Sequence, residues 1–278
     1  MEERIYPPDF HELKKGVKEL LGFNTGQYKD TYLGRRFNAR MRAYNIDTYH
    51  AYWEVLKNNQ VEQQRLRDDL TINVTEFFRD NTAYHFLHHD VLPNLFNEKE
   101  RIRIWSAGSS DGKEAYSIAM LCAELLGLRK AQQRVSIIGS DIDRESLDHA
   151  RKGQYISKTG VTQTDIKKQL TFLKNPESYF TIQDNVYSMK PDIKQFVQFE
   201  NYDLISGRKK FNFDLILCRN VVIYFNRALQ EILYQDFYNA LNNNGFFFMG
   251  KTETLIGEAR NLFAPYNTKE RIFRKIKT

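Results

Sequence analysis

Cysteine is nearly absent from this sequence. Its two residues, Cys122 within a helical pattern and Cys218 at the end of a strand pattern, exclude a disulfide framework and a thiolate zinc site. Both are expected as buried, unreactive thiols. Six prolines and fourteen glycines leave no room for a low-complexity segment. No stretch approaches the roughly 18 apolar residues that a membrane span needs, and no apolar run follows Met1-Glu2-Glu3-Arg4. A soluble, cytoplasmic protein without membrane insertion is expected. No internal repeat is found.

What is present is ordinary for a globular protein: 41% hydrophobic and 27% charged residues, over a length of 278 that suits one large domain or two smaller ones. A net charge of +6 permits nucleic acid, an anionic membrane surface or an acidic protein as partner without choosing among them. Its distribution says more. The stretch from Lys29 to Arg42 gathers Lys29, Arg35, Arg36, Arg40 and Arg42 against one acid, Asp30. On a helix, Arg35 with Arg42 and Arg36 with Arg40 make two outward basic stripes, for which a solvated face is the ordinary explanation.

The apolar positions Phe10, Leu13, Val17, Leu20 and Leu21 recur at helical spacing after Asp9, a candidate N-cap, and end near Gly22. Further helical stripes run through Tyr32, Leu33, Phe37 and Met41, through Tyr49, Tyr52, Trp53 and Leu56, and through Val61, Leu66 and Leu70. An all-helical domain over residues 1–80 and a linker helix over 81–95 follow. Beyond Pro93 the pattern changes to short β-rich runs alternating with helices: Ile102–Ala107, Val135–Ser140, Phe196–Glu200, Phe213–Cys218 and Phe246–Met249. That alternation predicts an α/β domain over 96–278, doubly wound and Rossmann-like. Tyr179–Ile182 and Val186–Met189, flanking Gln183-Asp184-Asn185, predict an inserted antiparallel β-subdomain over about 155–195. Arg271–Ile276 is expected as a final edge strand.

The first β-run passes into Gly108 and Gly112 and then a helix, the turn at which a doubly wound fold holds a nucleotide-like ligand. The spacing is G-x-x-x-G, not the G-x-G-x-x-G of dinucleotide sites, and no Walker Lys-Ser/Thr pair follows. A ligand with ribose and base but no pyrophosphate suits this turn, which favours S-adenosylmethionine over NAD. The second run ends Ser140-Asp141-Ile142-Asp143, placing a carboxylate where ribose hydroxyls can donate to it. Asp143 reads as the N-cap of the next helix. The fourth run leaves Arg219 and Asn220 at the same sheet edge.

Together these segments resemble the chemotaxis receptor glutamate methyltransferase family, CheR, over nearly the whole chain. The matching stretches are Thr71-Ile-Asn-Val-Thr-Glu-Phe-Phe-Arg79, Ser106-Ala-Gly-Ser-Ser-Asp-Gly-Lys-Glu114, Ser140-Asp-Ile-Asp143, Cys218-Arg-Asn-Val-Val-Ile-Tyr-Phe225 and Gly250-Lys-Thr-Glu253. The family usually has Cys, Thr, Glu and Pro where this chain has Ser109, Asp111, Lys113 and Ala115, and His where it has Lys251. The resemblance implies that Asn73, Thr75, Arg79, Ala107, Gly108, Glu114, Asp141, Asn201, Tyr202, Asn220 and Val221 surround S-adenosyl-L-methionine. Arg79 and Tyr224 then lie nearest the methyl group as catalytic residues.

It further implies methyl transfer to glutamate carboxylates of a methyl-accepting chemoreceptor's cytoplasmic helices, leaving S-adenosyl-L-homocysteine. Arg35, Arg36, Arg40 and Arg42 become a docking surface for those acidic helices. Other chemotaxis proteins are possible partners, the protein is expected as a monomer, and neither nucleic acid nor metal is expected, His85, His88 and His89 reading as an ordinary helix face. Two rivals stand beside this reading. A nucleic-acid methyltransferase of the same fold would carry an Asn/Asp-Pro-Pro-aromatic clamp where this chain has Arg219-Asn-Val-Val-Ile-Tyr, without proline. A non-catalytic S-adenosylmethionine-binding module is the other.

Overall fold

The computed structural model describes residues 5–71, 74–158 and 165–276. They divide into two compact units, Met1–Ile72 with Tyr224–Leu229, and Asn73–Ile223 with Gln230–Thr278.

The first unit is helical: α1 (Pro8–Leu21), α2 (Asp30–Ala43), α3 (Tyr49–Asn58) and α4 (Gln60–Leu70). The predicted stripes form its core except at Leu20 and Val61, which are exposed; Phe10, Leu13, Val17, Leu33, Phe37, Tyr52, Leu56 and Leu66 are buried together, with Tyr224 packed against them. Asp9 does not cap α1. Pro7 holds that position, Pro8 follows at the first helical residue, where proline's fixed φ suits entry to a helix, and the Asp9 carboxylate instead accepts from the Tyr49 and His50 amides at the start of α3. A second acid, Glu62 on α4, is fully buried and accepts from the Tyr52 hydroxyl at 2.7 Å and from Arg40 Nε and Nη2 at 2.9 and 2.6 Å. Burial pushes its carboxyl up, and the Arg40 and Tyr52 hydrogen bonds overcome that and hold it low.

The second unit begins before the β-rich region. Residues 74–80, grouped with the helical domain in the sequence reading, pack here through Phe77 and Phe78. The expected linker helix is core as well. α5 (Asn81–Phe86), a π-helical turn (Leu87–Val91) and α6 (Leu92–Glu98) bury Tyr84, Leu87, Val91, Leu92 and Leu95.

The main sheet comprises β1 (Ile102–Ala107), β2 (Val135–Asp141), β6 (Val197–Asn201), β7 (Phe213–Cys218), β8 (Leu241–Met249), β9 (Phe263–Asn267) and β10 (Ile272–Lys275), in the order β6-β2-β1-β7-β8-β10-β9. The first five in that order are parallel, and β10 and β9 are antiparallel. β10 is therefore not the edge strand. β9 covers it, and β9 escaped the sequence reading because Phe-Ala-Pro-Tyr-Asn lacks alternation and carries Pro265, which only an edge tolerates.

The connections include α7 (Lys113–Leu126), α8 (Leu128–Arg134), α9 (Arg144–Lys152) and α10 (Arg227–Ala240). The predicted hairpin is present as β4 (Phe180–Gln183) and β5 (Val186–Met189), with Asp184 left-handed in its turn, and β3 (Gln154–Ile156) joins it in the order β3-β5-β4. Both cysteines are buried free thiols, pushed up by burial. No helix among the described residues is long and apolar enough to cross a membrane.

Candidate cofactor and methyl-transfer site

Strand order reverses at β1, which pairs with β2 on one side and β7 on the other. The carboxyl ends of these three strands lie side by side there, since Ser106 pairs with Leu217 and Ala107 with Ser140. A crevice at such a switch point is where open α/β sheets bind ligands.

The turn after β1 is held tightly. Gly108 and Ser109 amides donate to the Ser140 carbonyl at 2.8 and 2.9 Å, and the Ser110 amide donates to Asp141 Oδ2 at 2.8 Å. Gly108 is left-handed at φ +78°, and a Cβ there would lie 2.5 Å from Val221 Cγ2. Gly112 has φ +88°, and a Cβ would meet Phe199 Cζ at 2.7 Å and Ala150 Cβ at 2.8 Å. Both glycines are thus required by backbone and space together.

Asp141 is braced from both sides, its Oδ1 accepting from the Asp143 amide at 3.0 Å, and burial raises its pKa against those bonds. Asp143 caps α9, accepting from the Glu145 amide at 3.0 Å. Asn201, opposite Asp141 across the β2–β6 pairing, donates to the carbonyls of Asp141 and Ile142 at 3.2 and 2.8 Å. The Tyr202 hydroxyl donates to the Arg208 carbonyl, and its ring meets Trp105 edge-on at 5.7 Å. Asn201 and Tyr202 therefore brace this edge as well as border it.

Glu114, in the first turn of α7, accepts from Ser106 Oγ at 2.7 Å and lies 3.8 Å from Arg219 Nη1. Burial raises its pKa, while Arg219, Ser106 and Arg79 pull it down. Arg219 does not face the crevice as a free cation. Its side chain is 1% exposed, ion-paired to Asp80 at 2.7 Å and 4.5 Å above the Phe248 ring.

Arg79 donates to the Val74 carbonyl at 3.1 Å, and no carboxylate among the described residues ion-pairs with it. Thr75 lines a cleft of about 440 Å³ with Asp111, Lys113, His149, Tyr155 and Gln169, a lining that does not include Gly108, Asp141 or Asn220. Asn73 lies outside the described residues. Tyr224 belongs to the helical unit, where its carbonyl accepts from the Lys29 amide at 2.9 Å.

Glu253 is the residue that sequence reasoning left without a role. Its carboxylate, 2% exposed, accepts from four backbone amides: Gly250 at 2.7 Å, Asn220 and Val221 at 3.1 Å, and Ile223 at 3.3 Å. This holds Asn220 left-handed at φ +59°. The signal was an acid in a short polar run, Gly250-Lys-Thr-Glu253, just beyond an apolar strand.

Two families match the chain end to end: CheR methyltransferase, all-alpha domain, over residues 8–71, and CheR methyltransferase, SAM binding domain, over residues 73–272. The chain belongs to the CheR methyltransferase family. Among curated relatives it is similar to the chemotaxis protein methyltransferase of Salmonella typhimurium, 31% identical over 265 residues covering 91% of this chain and 86% of that one. Similar values hold for the Escherichia coli protein of that name, at 30% over 263 residues, 91% and 87%, and that of Listeria monocytogenes serovar 1/2a, at 29% over 252 residues, 90% and 92%. As a CheR methyltransferase the chain uses S-adenosylmethionine and acts in chemotaxis.

The residues present fit that cofactor. Asn220 Oδ1 and Ser109 Oγ are buried without a hydrogen-bond partner among the described residues. Buried polar atoms rarely stay so without a ligand or water. Beside the tight turn at Gly108 they stand as unpartnered polar atoms at the sheet's carboxyl edge, available to the hydroxyls and base of a nucleoside. Gly108→Ala in this CheR chain should weaken cofactor binding by at least about tenfold in titration calorimetry, because the added methyl displaces Val221 and costs about 1–2 kcal/mol of backbone strain. An unchanged dissociation constant would remove this turn from the cofactor site.

Proposed function

We propose that the protein methylates glutamate side-chain carboxylates on the cytoplasmic helices of a methyl-accepting chemoreceptor, giving methyl esters for sensory adaptation. The observation that carries the reading is how the carboxylates at the sheet edge are engaged. Glu114 and Glu253 are buried, Asp141 is half-buried, and all three are hydrogen-bonded within the unit. Carboxylates engaged in this way are not free to take a substrate's proton, and a carboxylate nucleophile, with a pKa of about 4.3, needs no general base at neutral pH. A protonated amine would have to lose a proton first.

Bound S-adenosylmethionine supplies a sulfonium methyl group that a carboxylate oxygen can take as the sulfur departs in neutral S-adenosylhomocysteine. Gly108, Ser109, Glu114, Asp141, Asn220 and Val221 hold the cofactor. Arg79 orients the incoming carboxylate through charge-assisted hydrogen bonds, and Tyr224 sets its position beside the methyl group. No proton has to move.

The basic face of α2 docks the acidic receptor helix. Arg35 and Arg42 are exposed and Arg36 is half-buried. Arg40, expected on that face, is committed to Glu62 and Asp69 with its side chain 16% exposed. It staples α2 to α4 and is dropped from the docking set. The reading also places the protein in the cytoplasm as a monomer.

The test is transfer from methyl-labelled cofactor to receptor signalling-domain fragments. The expected product is a base-labile ester that releases methanol. A base-stable product, or label in RNA, would overturn the substrate assignment.

A further inference from the structure

We propose that Tyr32 is a positioning residue for the methyl transfer, holding the ring of Tyr224 in place from the basic helix α2. This rests on the role given to Tyr224 above.

The backbone around Tyr224 is anchored within the helical unit. Lys29 N donates to the Tyr224 carbonyl at 2.9 Å, Asn226 N donates to the Gln27 carbonyl at 2.8 Å, and Tyr28 bridges Phe225 in antiparallel fashion. Backbone anchoring leaves the side-chain torsions of Tyr224 undetermined. They are set by packing, and the tyrosine ring against Tyr224 is that of Tyr32, 4.8 Å away between centroids and tilted by 38°.

Tyr32 is itself fixed. It is 2% exposed, and its hydroxyl donates to the Leu70 carbonyl at 2.8 Å, at the last residue of α4. Burial lifts the phenol to about 12, so it remains a donor throughout the neutral range. The Arg36 guanidinium lies 5.6 Å from the ring centroid, so a cation of the docking face bears directly on the residue that holds Tyr224. The same ring thus touches the first residue of the returning chain, Tyr224, and the last helical residue before the chain leaves toward Thr75 and Arg79. A residue so placed gains nothing for cofactor binding. Its contribution lies in the orientation of Tyr224, where small displacements of a positioning group cost rate.

The test combines Tyr32→Met, Tyr32→Phe, Tyr224→Ala and the Tyr32→Met/Tyr224→Ala double variant, with kcat, KM for receptor fragment, cofactor affinity and Tm measured for each. Y32M, which fills the volume without a ring, should lower kcat about tenfold with KM and cofactor affinity within about twofold. Y32F, which keeps the ring, should stay within about threefold of the parent. The double variant should be no slower than Y224A alone, because two residues acting as a unit are not additive. A tenfold loss in Y32F, a parental kcat in Y32M, or a further tenfold loss on the Y224A background would each overturn the proposal. A parental kcat in Y224A would instead refute the role of Tyr224, and the proposal with it, and that arm is read independently of every Tyr32 variant.

Discussion

Replacing Arg79 with alanine should slow methyl transfer to receptor fragments about a hundredfold while changing the dissociation constant for S-adenosylmethionine by less than about threefold. The asymmetry follows from what Arg79 touches. Its described hydrogen bond is to the Val74 carbonyl, and no carboxylate among the described residues pairs with it. Its guanidinium still acts electrostatically on Glu114, so it lies within reach of the cofactor edge. The buried cation Arg219, by contrast, is ion-paired to Asp80 and lies over the Tyr84 and Phe248 rings.

A hydrogen bond to a charged group contributes about 1.5–3 kcal/mol, and 1.36 kcal/mol corresponds to tenfold in rate. Loss of one or two such bonds to the incoming carboxylate therefore gives about two orders of magnitude. Single-turnover kinetics beside calorimetry make the check. Equal losses in rate and cofactor affinity would make Arg79 a cofactor ligand only. Arg79→Lys should recover only part of the rate, since an ammonium keeps the charge and loses the planar fork.

The helical core was legible because its apolar residues repeat at a local period, and Leu13, Val17, Phe37 and Leu56 are buried as that period requires. The parallel strands were legible as apolar runs, β7 being buried at every position. Features that depend on distant partners were not. Arg40 looks like part of a basic stripe until Glu62, 22 residues away, is brought beneath it. Asp9 looks like a cap for its own helix, and it serves another one 40 residues on.

The same division runs through the site. Gly108 and Gly112 declare themselves locally, because a tight turn between a strand and a helix calls for their left-handed backbone. Arg219 sits at the predicted sheet edge, but its burial against Phe248 and its pairing with Asp80 are products of the fold. Glu253 is the clearest case. Its four partners lie on Gly250 and on the 220–223 segment, and backbone amides leave no mark in a sequence.

Glu253 accordingly carries the other large expectation: Glu253→Ala should cost about 4 kcal/mol of stability and about a hundredfold in cofactor affinity. Each buried donor left without an acceptor costs about 1–3 kcal/mol, and four amides lose theirs at once, partly offset by water entering the space. The released segment is the one that keeps Asn220 left-handed and lays Val221 against Gly108, so the loss reaches the cofactor recess directly.

Glu253→Gln sharpens the argument. A carboxamide offers one acceptor oxygen, which can serve either the Gly250 and Asn220 pair or the Val221 and Ile223 pair, and it turns an NH2 group toward the other two donors. It should lose about half as much stability as Glu253→Ala while filling the same volume, which separates hydrogen bonding from packing. Denaturant midpoints at constant slope give the stability, calorimetry gives the affinity, and hydrogen exchange at the Asn220, Val221 and Ile223 amides should quicken in both variants. If Glu253→Ala binds S-adenosylmethionine within twofold of the parent, the segment holds its shape without the carboxylate, and Glu253 is a stability residue with no hand in the site.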